Sequence, residues 1–211
     1  MPQKRFSYRR VNTATTVKDI CKKAGIKLGT FTYHYKSKDS LAVSIYHDFV
    51  GELTERVYAL VDAARPPVDP FTREIATYRS YFTILDSSEA FRRFYCEICT
   101  TEEFRKVNYQ MNEGFIQSTL QNFARQKSGL FYPPNEIDFP VTVTLVSGME
   151  IRFVQALFSG KYEDRNRDDL IDYFLMIYYS IFCKDRREIQ KRAPLARAFA
   201  PQMLELCPPV G

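Results

Sequence analysis

The chain has 211 residues, 45% of them hydrophobic and 26% charged, a composition that suits a globular protein with one large or two modest cores. No run reads as long and apolar enough to span a membrane, and no charged-then-apolar signal segment opens the chain, so no membrane partner and a cytoplasmic location are expected. Five scattered cysteines (Cys21, Cys96, Cys99, Cys183 and Cys207) argue against a disulfide framework, and the pair Cys96/Cys99 reads as core or pocket cysteines rather than a metal site.

Basic residues crowd the start. Residues 1–38 hold ten Lys or Arg and one acid, Asp19, a net +9 against +5 for the whole chain, so everything downstream sums to −4. Such an end suits a surface that neutralises phosphates. From Thr16 to Leu41 the pattern is two short helices joined by a tight turn, followed at once by a third helix. Thr15 or Thr16 can cap the first helix, with Asp19 as the reciprocal acid. Val17, Ile20, Cys21 and Ala24 share one face, and Gly25 ends the helix because glycine reaches the left-handed region without a Cβ clash. Leu28 to Tyr35 form the second helix, with Phe31 and Tyr35 as its core residues. This is a helix-turn-helix layout.

The stretch DICKKAGIKLGTFTYHYKSKDSL resembles the DNA-binding segment of the TetR family of one-component transcriptional regulators. The resemblance is carried by Ala24-Gly25-Ile26, Gly29-Thr30-Phe31, the aromatic run to Tyr35, and Lys36 to Leu41. It implies an all-α fold in two parts. A helix-turn-helix DNA-binding unit over residues 1–45 would be joined by a long helix to a helical effector-binding and dimerisation unit over 46–211. In the family a full amphipathic helix precedes the helix-turn-helix. Residues 1–14 carry only Phe6, Tyr8 and Val11 as apolar positions, so that helix reads as truncated: either Met1 lies downstream of the true start, or the helix is missing.

Ser37 reads as the N-cap of the long helix, with Asp39 in its first turn and a stripe of Leu41, Ile45, Phe49, Leu53, Val57 and Leu60. Pro66-Pro67 stops it after about Arg65. Asp69 or Thr72 starts the next helix, about Pro70 to Leu85, facing inward with Ile75, Tyr78, Phe82 and Leu85. Ser87 or Ser88 caps a helix through Thr100, and Thr101 caps a longer one, Glu102 to Gln126. A loop follows to Asp138, marked by Ser128-Gly129 and Pro133-Pro134. Phe139 to Ser159 and Arg167 to Lys184 form a last strong pair with wide apolar faces, and Ser147 and Gly148 are small enough for close helix approach. The tail from Arg186 reads as basic, then Pro- and Ala-rich, with a short helix near Pro194 to Leu206.

The resemblance implies a homodimer built on that last pair, reading a roughly palindromic double-stranded DNA operator. It places DNA contacts at Lys27, Leu28, Thr30, Thr32, Tyr33 and His34, with Lys36 and Lys38 flanking the long helix. The family commonly has Tyr where this chain has Thr32. It also implies a small-molecule effector between the middle helices, with Tyr78, Phe82, Tyr95, Cys99, Met111, Phe115, Met149 and Phe153 as wall candidates and Glu150, Asn112 and Gln117 as polar hooks. The expected function is a repressor released by its effector; the alternative is a dimeric ligand-binding protein whose DNA binding is weakened or lost with the N-terminal helix. No phosphate-cradling glycine loop, nucleophile elbow or His/Cys cluster is present in the sequence, so no enzyme, cofactor or metal is expected. Glu97, Glu102, Glu103, Asp164, Asp168 and Asp169 read as solvated helix surface or caps.

Overall fold

The computed structural model describes residues 15–126 and 129–206. The expected truncated first helix and Cys207 lie outside the described residues. Among the described residues the chain forms ten α-helices: α1 (Val17–Ala24), α2 (Leu28–His34), α3 (Lys38–Asp62), α4 (Pro70–Asp86), α5 (Glu89–Ile98), α6 (Glu102–Gln126), α7 (Phe139–Phe158), α8 (Arg167–Tyr179), α9 (Arg186–Arg197) and α10 (Ala200–Leu206). A 3-10 turn at Pro134–Glu136 and an isolated antiparallel bridge between Phe131 and Cys183 complete the regular structure described.

Local chemistry sets the boundaries. Thr16 and Asp19 form a full capping box: the Asp19 amide donates to Thr16 Oγ1 at 3.2 Å, and the Thr16 amide donates to Asp19 at 2.9 Å. Gly25 closes α1 at φ 66°, and the Ile26 amide donates back to the Cys21 carbonyl at 3.0 Å. Space around Gly25 is open, so an added Cβ meets no neighbour and only the left-handed backbone resists it. Gly25→Ala should therefore cost about 1 kcal/mol and no more, read from urea unfolding. Ser37 and Ser40 cap α3 reciprocally at 3.0 Å each way. Of the two candidates for α4, Asp69 is the cap, accepting from the Phe71 and Thr72 amides at 3.1 Å. Ser88 occupies the N-cap of α5 without a side-chain bond, while the Ser87 hydroxyl donates to the Ile84 carbonyl at 2.7 Å. Thr101 accepts from the Phe104 amide at 3.2 Å, as expected of the α6 cap.

Two apolar clusters share α3. The small one joins Cys21, Phe31 and Leu41, with Val17, Ile20 and Tyr35 packed against it. The large one begins one residue after Leu41, with Ala42, Val43 and Tyr46, and runs through α4 to α10; Ile45 touches both. One rigid rod thus carries side chains for each.

The tail corrects the sequence reading. From Arg186 it forms two helices, with Pro194 inside α9, and α9 is the main partner of α4. Arg192 holds them together: its Nε donates to the Asp69 cap at 3.0 Å and its guanidinium lies 5.2 Å from the Phe71 ring centroid. Covered there and by α3, α5, α6, α8 and α10, α4 is the axis of the bundle. Its polar Thr72, Glu74, Thr77, Arg79 and Ser80 are buried along with its apolar stripe.

A second correction concerns α7. By length and composition it is apolar enough to cross a membrane, contrary to the expectation for the chain. In the fold one face packs inward through Val143, Val146, Val154 and Leu157, with Glu150 among them, while Val141 and Leu145 are 51% and 63% exposed. Ser147 faces the interior and Gly148 the outside.

Candidate functional site

The N-terminal helices present one face outward. Phe31, 2% exposed, anchors α2 on Cys21 and Leu41, and the Tyr35 ring lies 5.7 Å from it. With that edge fixed, the opposite edge of α2 faces solvent. Lys27, Leu28, Thr30, Thr32, Tyr33 and His34 are all exposed, Tyr33 to 83% and Leu28 to 48%. The Tyr33 and His34 rings meet edge-on at 5.0 Å. Thr32 turns its hydroxyl back on its own helix, donating to the Leu28 and Gly29 carbonyls at 3.2 Å. Lys36 is exposed and Lys38 half-buried. The Lys38 charge acts on Glu97 of α5, whose carboxyl burial pushes up and Lys38 pulls back. Lys18, Lys22, Lys23 and Lys27 add to the same exposed end. This arrangement can offer cations and short polar side chains to a groove lined with phosphates.

The second concentration of chemistry is interior. Glu150 of α7, 4% exposed, accepts hydrogen bonds from the Tyr78 hydroxyl at 2.8 Å, the Tyr81 hydroxyl at 3.0 Å and the Asn112 amide at 3.1 Å. Tyr81 in turn bonds the hydroxyl of Tyr46 on α3. One carboxylate therefore ties α4, α6 and α7 together and reaches α3 through a second tyrosine. Two of the three expected polar hooks, Glu150 and Asn112, lie here; Gln117 is exposed. Tyr46 and Tyr81 were not anticipated, because a tyrosine on an apolar stripe gives no sign of where its hydroxyl ends.

Burial pushes the Glu150 carboxyl up, and the bonds from Tyr78, Asn112 and Tyr81 pull it back only in part. The folded chain thus keeps this proton where the unfolded chain has lost it. The associated stability is fully present below the ordinary carboxylate value of about 4.3 and is lost as pH rises through the raised one. Glu150→Gln keeps the shape and removes the titration. Its melting temperature should gain on that of the wild type as pH is raised from about 4 to about 8; parallel curves would contradict the assignment.

The eight wall candidates divide. Tyr78, Phe82, Phe115 and Phe153 come together, with Tyr78 ring centroids 5.1 Å from Phe82 and 5.7 Å from Phe115, and Phe82 5.5 Å from Phe153. Tyr95 and Cys99 pack on the α5 side, Tyr95 against Tyr46 at 5.9 Å and Cys99 accepting from Gln155 at 3.3 Å. Met111 and Met149 are half-buried against the same core. A groove of about 810 Å³ lies elsewhere, between α8 and α9, with Asp172, Tyr173, Met176, Ile189, Pro194 and Arg197 in its walls and none of the eight. Among the described residues no group of three or more His, Cys, Asp or Glu is placed to hold a metal ion.

Comparison with known proteins agrees with the exposed helix-turn-helix. Residues 13–49 match the family model described as bacterial regulatory proteins, tetR family. A curated relative is the HTH-type transcriptional repressor KstR2 of Mycolicibacterium smegmatis (strain ATCC 700084 / mc(2)155), 37% identical over 59 residues. That alignment covers 28% of this chain and 29% of the relative, so the chain spans under a third of the curated protein it matches. No solved structure matches the chain significantly. The capped α1, the glycine turn and the Phe31-anchored α2 all lie within residues 13–49, the segment that is similar to the tetR family.

Proposed function

We propose that the chain is a cytoplasmic transcriptional regulator that binds a roughly palindromic double-stranded DNA operator as a homodimer and is released by a small-molecule effector. The observation that carries this reading is the exposed α2 edge, Lys27 to His34, within a segment that matches the tetR family model. Lys27 and Thr30 at the start of α2 meet base edges or backbone. Tyr33, His34, Lys36 and Lys38 hold phosphates, and Leu28 packs on the groove wall. Thr32, with its hydroxyl satisfied within the helix, contributes its methyl. Two reading heads about one helical turn apart, roughly 34–36 Å, require a two-fold axis. The apolar outer surfaces of α7 and α8, with Val141, Leu145 and Tyr173 exposed, supply it.

In this reading residues 1–45 hold DNA and 46–211 hold effector and partner, with α3 as the lever across the boundary. The effector lies among Tyr78, Phe82, Tyr95, Cys99, Met111, Phe115, Met149 and Phe153. A route from that interior to the lever runs through Glu150, Tyr81 and Tyr46. An effector that prefers the spread form by a few kcal/mol suffices to empty the operator. The test is a gel shift with the DNA flanking the chain's own gene across a salt series. Binding that weakens linearly in log salt supports the reading; no shift at any salt overturns it.

A further inference from the structure

Resting on the reading of the bundle interior as an effector site, we infer that the effector is an apolar molecule carrying a protonated primary amine, and that Glu150 is its anchor. A buried carboxyl group either keeps its proton or sits beside a cation, and an arriving cation exchanges the first state for the second. None of the salt bridges among the described residues includes Glu150, whose three partners are two phenols and an amide. The ring of Tyr178 lies 4.6 Å from that of Tyr78, and Tyr78 and Tyr81 stack at 6.0 Å. Aromatic faces attract cations and do nothing comparable for anions.

The hydroxyl of Tyr178 sharpens the match. The residue is fully buried, its hydroxyl oxygen has no hydrogen-bond partner, and the Glu150 charge acts on it. An ammonium carries three N–H donors and accepts nothing. The site offers the two oxygens of one carboxyl group and the unused hydroxyl oxygen of Tyr178, whose ring packs on that of Tyr78. An ammonium supplies the counter-charge that lets Glu150 release the proton that burial holds on it, whereas an alcohol can use the same acceptors but brings no charge and leaves that proton in place. Phe82, Phe115, Phe153 and Phe174 supply the apolar wall around this centre. As the ammonium reaches Glu150 it takes the place of the Tyr78 or Tyr81 hydroxyl, whose ring remains as a wall.

The experiment is calorimetric titration of the full chain with phenyl-alkyl amines of two to six methylenes, each paired with the alcohol of the same skeleton. At least one amine should bind tenfold or more tightly than its alcohol, and Glu150→Gln should remove that preference while leaving alcohol binding within about twofold. The wild-type comparison stands by itself if the variant does not fold. Equal affinities within every pair, no binding by any member, or a preference that survives in folded Glu150→Gln each overturn the inference. The gel shift separates it from the regulator reading. DNA binding without amine preference sinks only the ligand class; amine preference without DNA binding leaves the ligand class and sinks the regulator.

Discussion

Replacing Lys27 and Lys36 together by alanine should weaken operator binding by about a thousandfold at roughly 0.1 M salt and flatten its salt dependence by about 3.6 logarithmic units. The proposed homodimer would lose four cations to the double substitution, and each phosphate neutralised in that reading contributes a slope of about 0.9. Both side chains are exposed and belong to neither apolar cluster, so the melting temperature should stay where it is. The slope also separates two roles. A Lys27 that bonds a guanine edge in place of a phosphate would leave roughly half the loss of slope, and its own share of the affinity loss would fall on one base pair of each half-site. An unchanged slope with intact folding would remove these two lysines from the interface altogether.

The sequence was readable wherever the signal is local. Thr16 with Asp19, Gly25, Ser37 and Asp69 mark helix ends through bonds made within three residues, so they need no knowledge of the rest of the chain. The outward residues of α2 came from the family resemblance, and their exposure agrees with the inward placement of Phe31 and Tyr35. What failed depends on partners far along the chain. α9 has few apolar residues and a proline inside it, and it adheres through Arg192 to Asp69 and Arg197 to Asp172. Hydrophobic periodicity is blind to such pairing. Arg79 of α4 likewise gives no local sign of burial, because its partners Asp168 and Asp172 lie far along the chain on α8. The interior site was half legible for the same reason. Glu150 and Asn112 stood out as polar residues on apolar helices, but Tyr46 and Tyr81 became part of one network only when α3, α4 and α7 met. Asp168, read as solvated surface, is partly exposed but also the partner of a fully buried arginine.

That arginine should be the most costly single truncation in the bundle. Arg79 has no exposed side-chain surface, and its two terminal nitrogens fork to Asp168, at 2.6 Å, and to Asp172. The two acids lie one turn apart on α8, where like charges oppose helix formation, so the guanidinium both joins α4 to α8 and relieves that repulsion. Burial pulls the Arg79 pKa down, and the two aspartates hold it up. Removing one member of a buried ion pair costs about 3–5 kcal/mol. The lower end applies here, because Asp168 is about half exposed and can return to water, and Asp172 keeps Arg197. Arg79→Ala should therefore cost about 3 kcal/mol and lower the melting temperature by about 6–12 °C. Arg79→Lys should recover only part of this, because an ammonium is a single point charge and cannot span two carboxylates as the planar fork does. A double variant, Arg79→Met with Asp172→Leu, should lose less than the sum of its single variants, since it leaves no unpaired charge at the buried end. Additive losses across that cycle would mean that Arg79 acts by packing its stem, and that the fork to α8 adds nothing to the stability of the bundle.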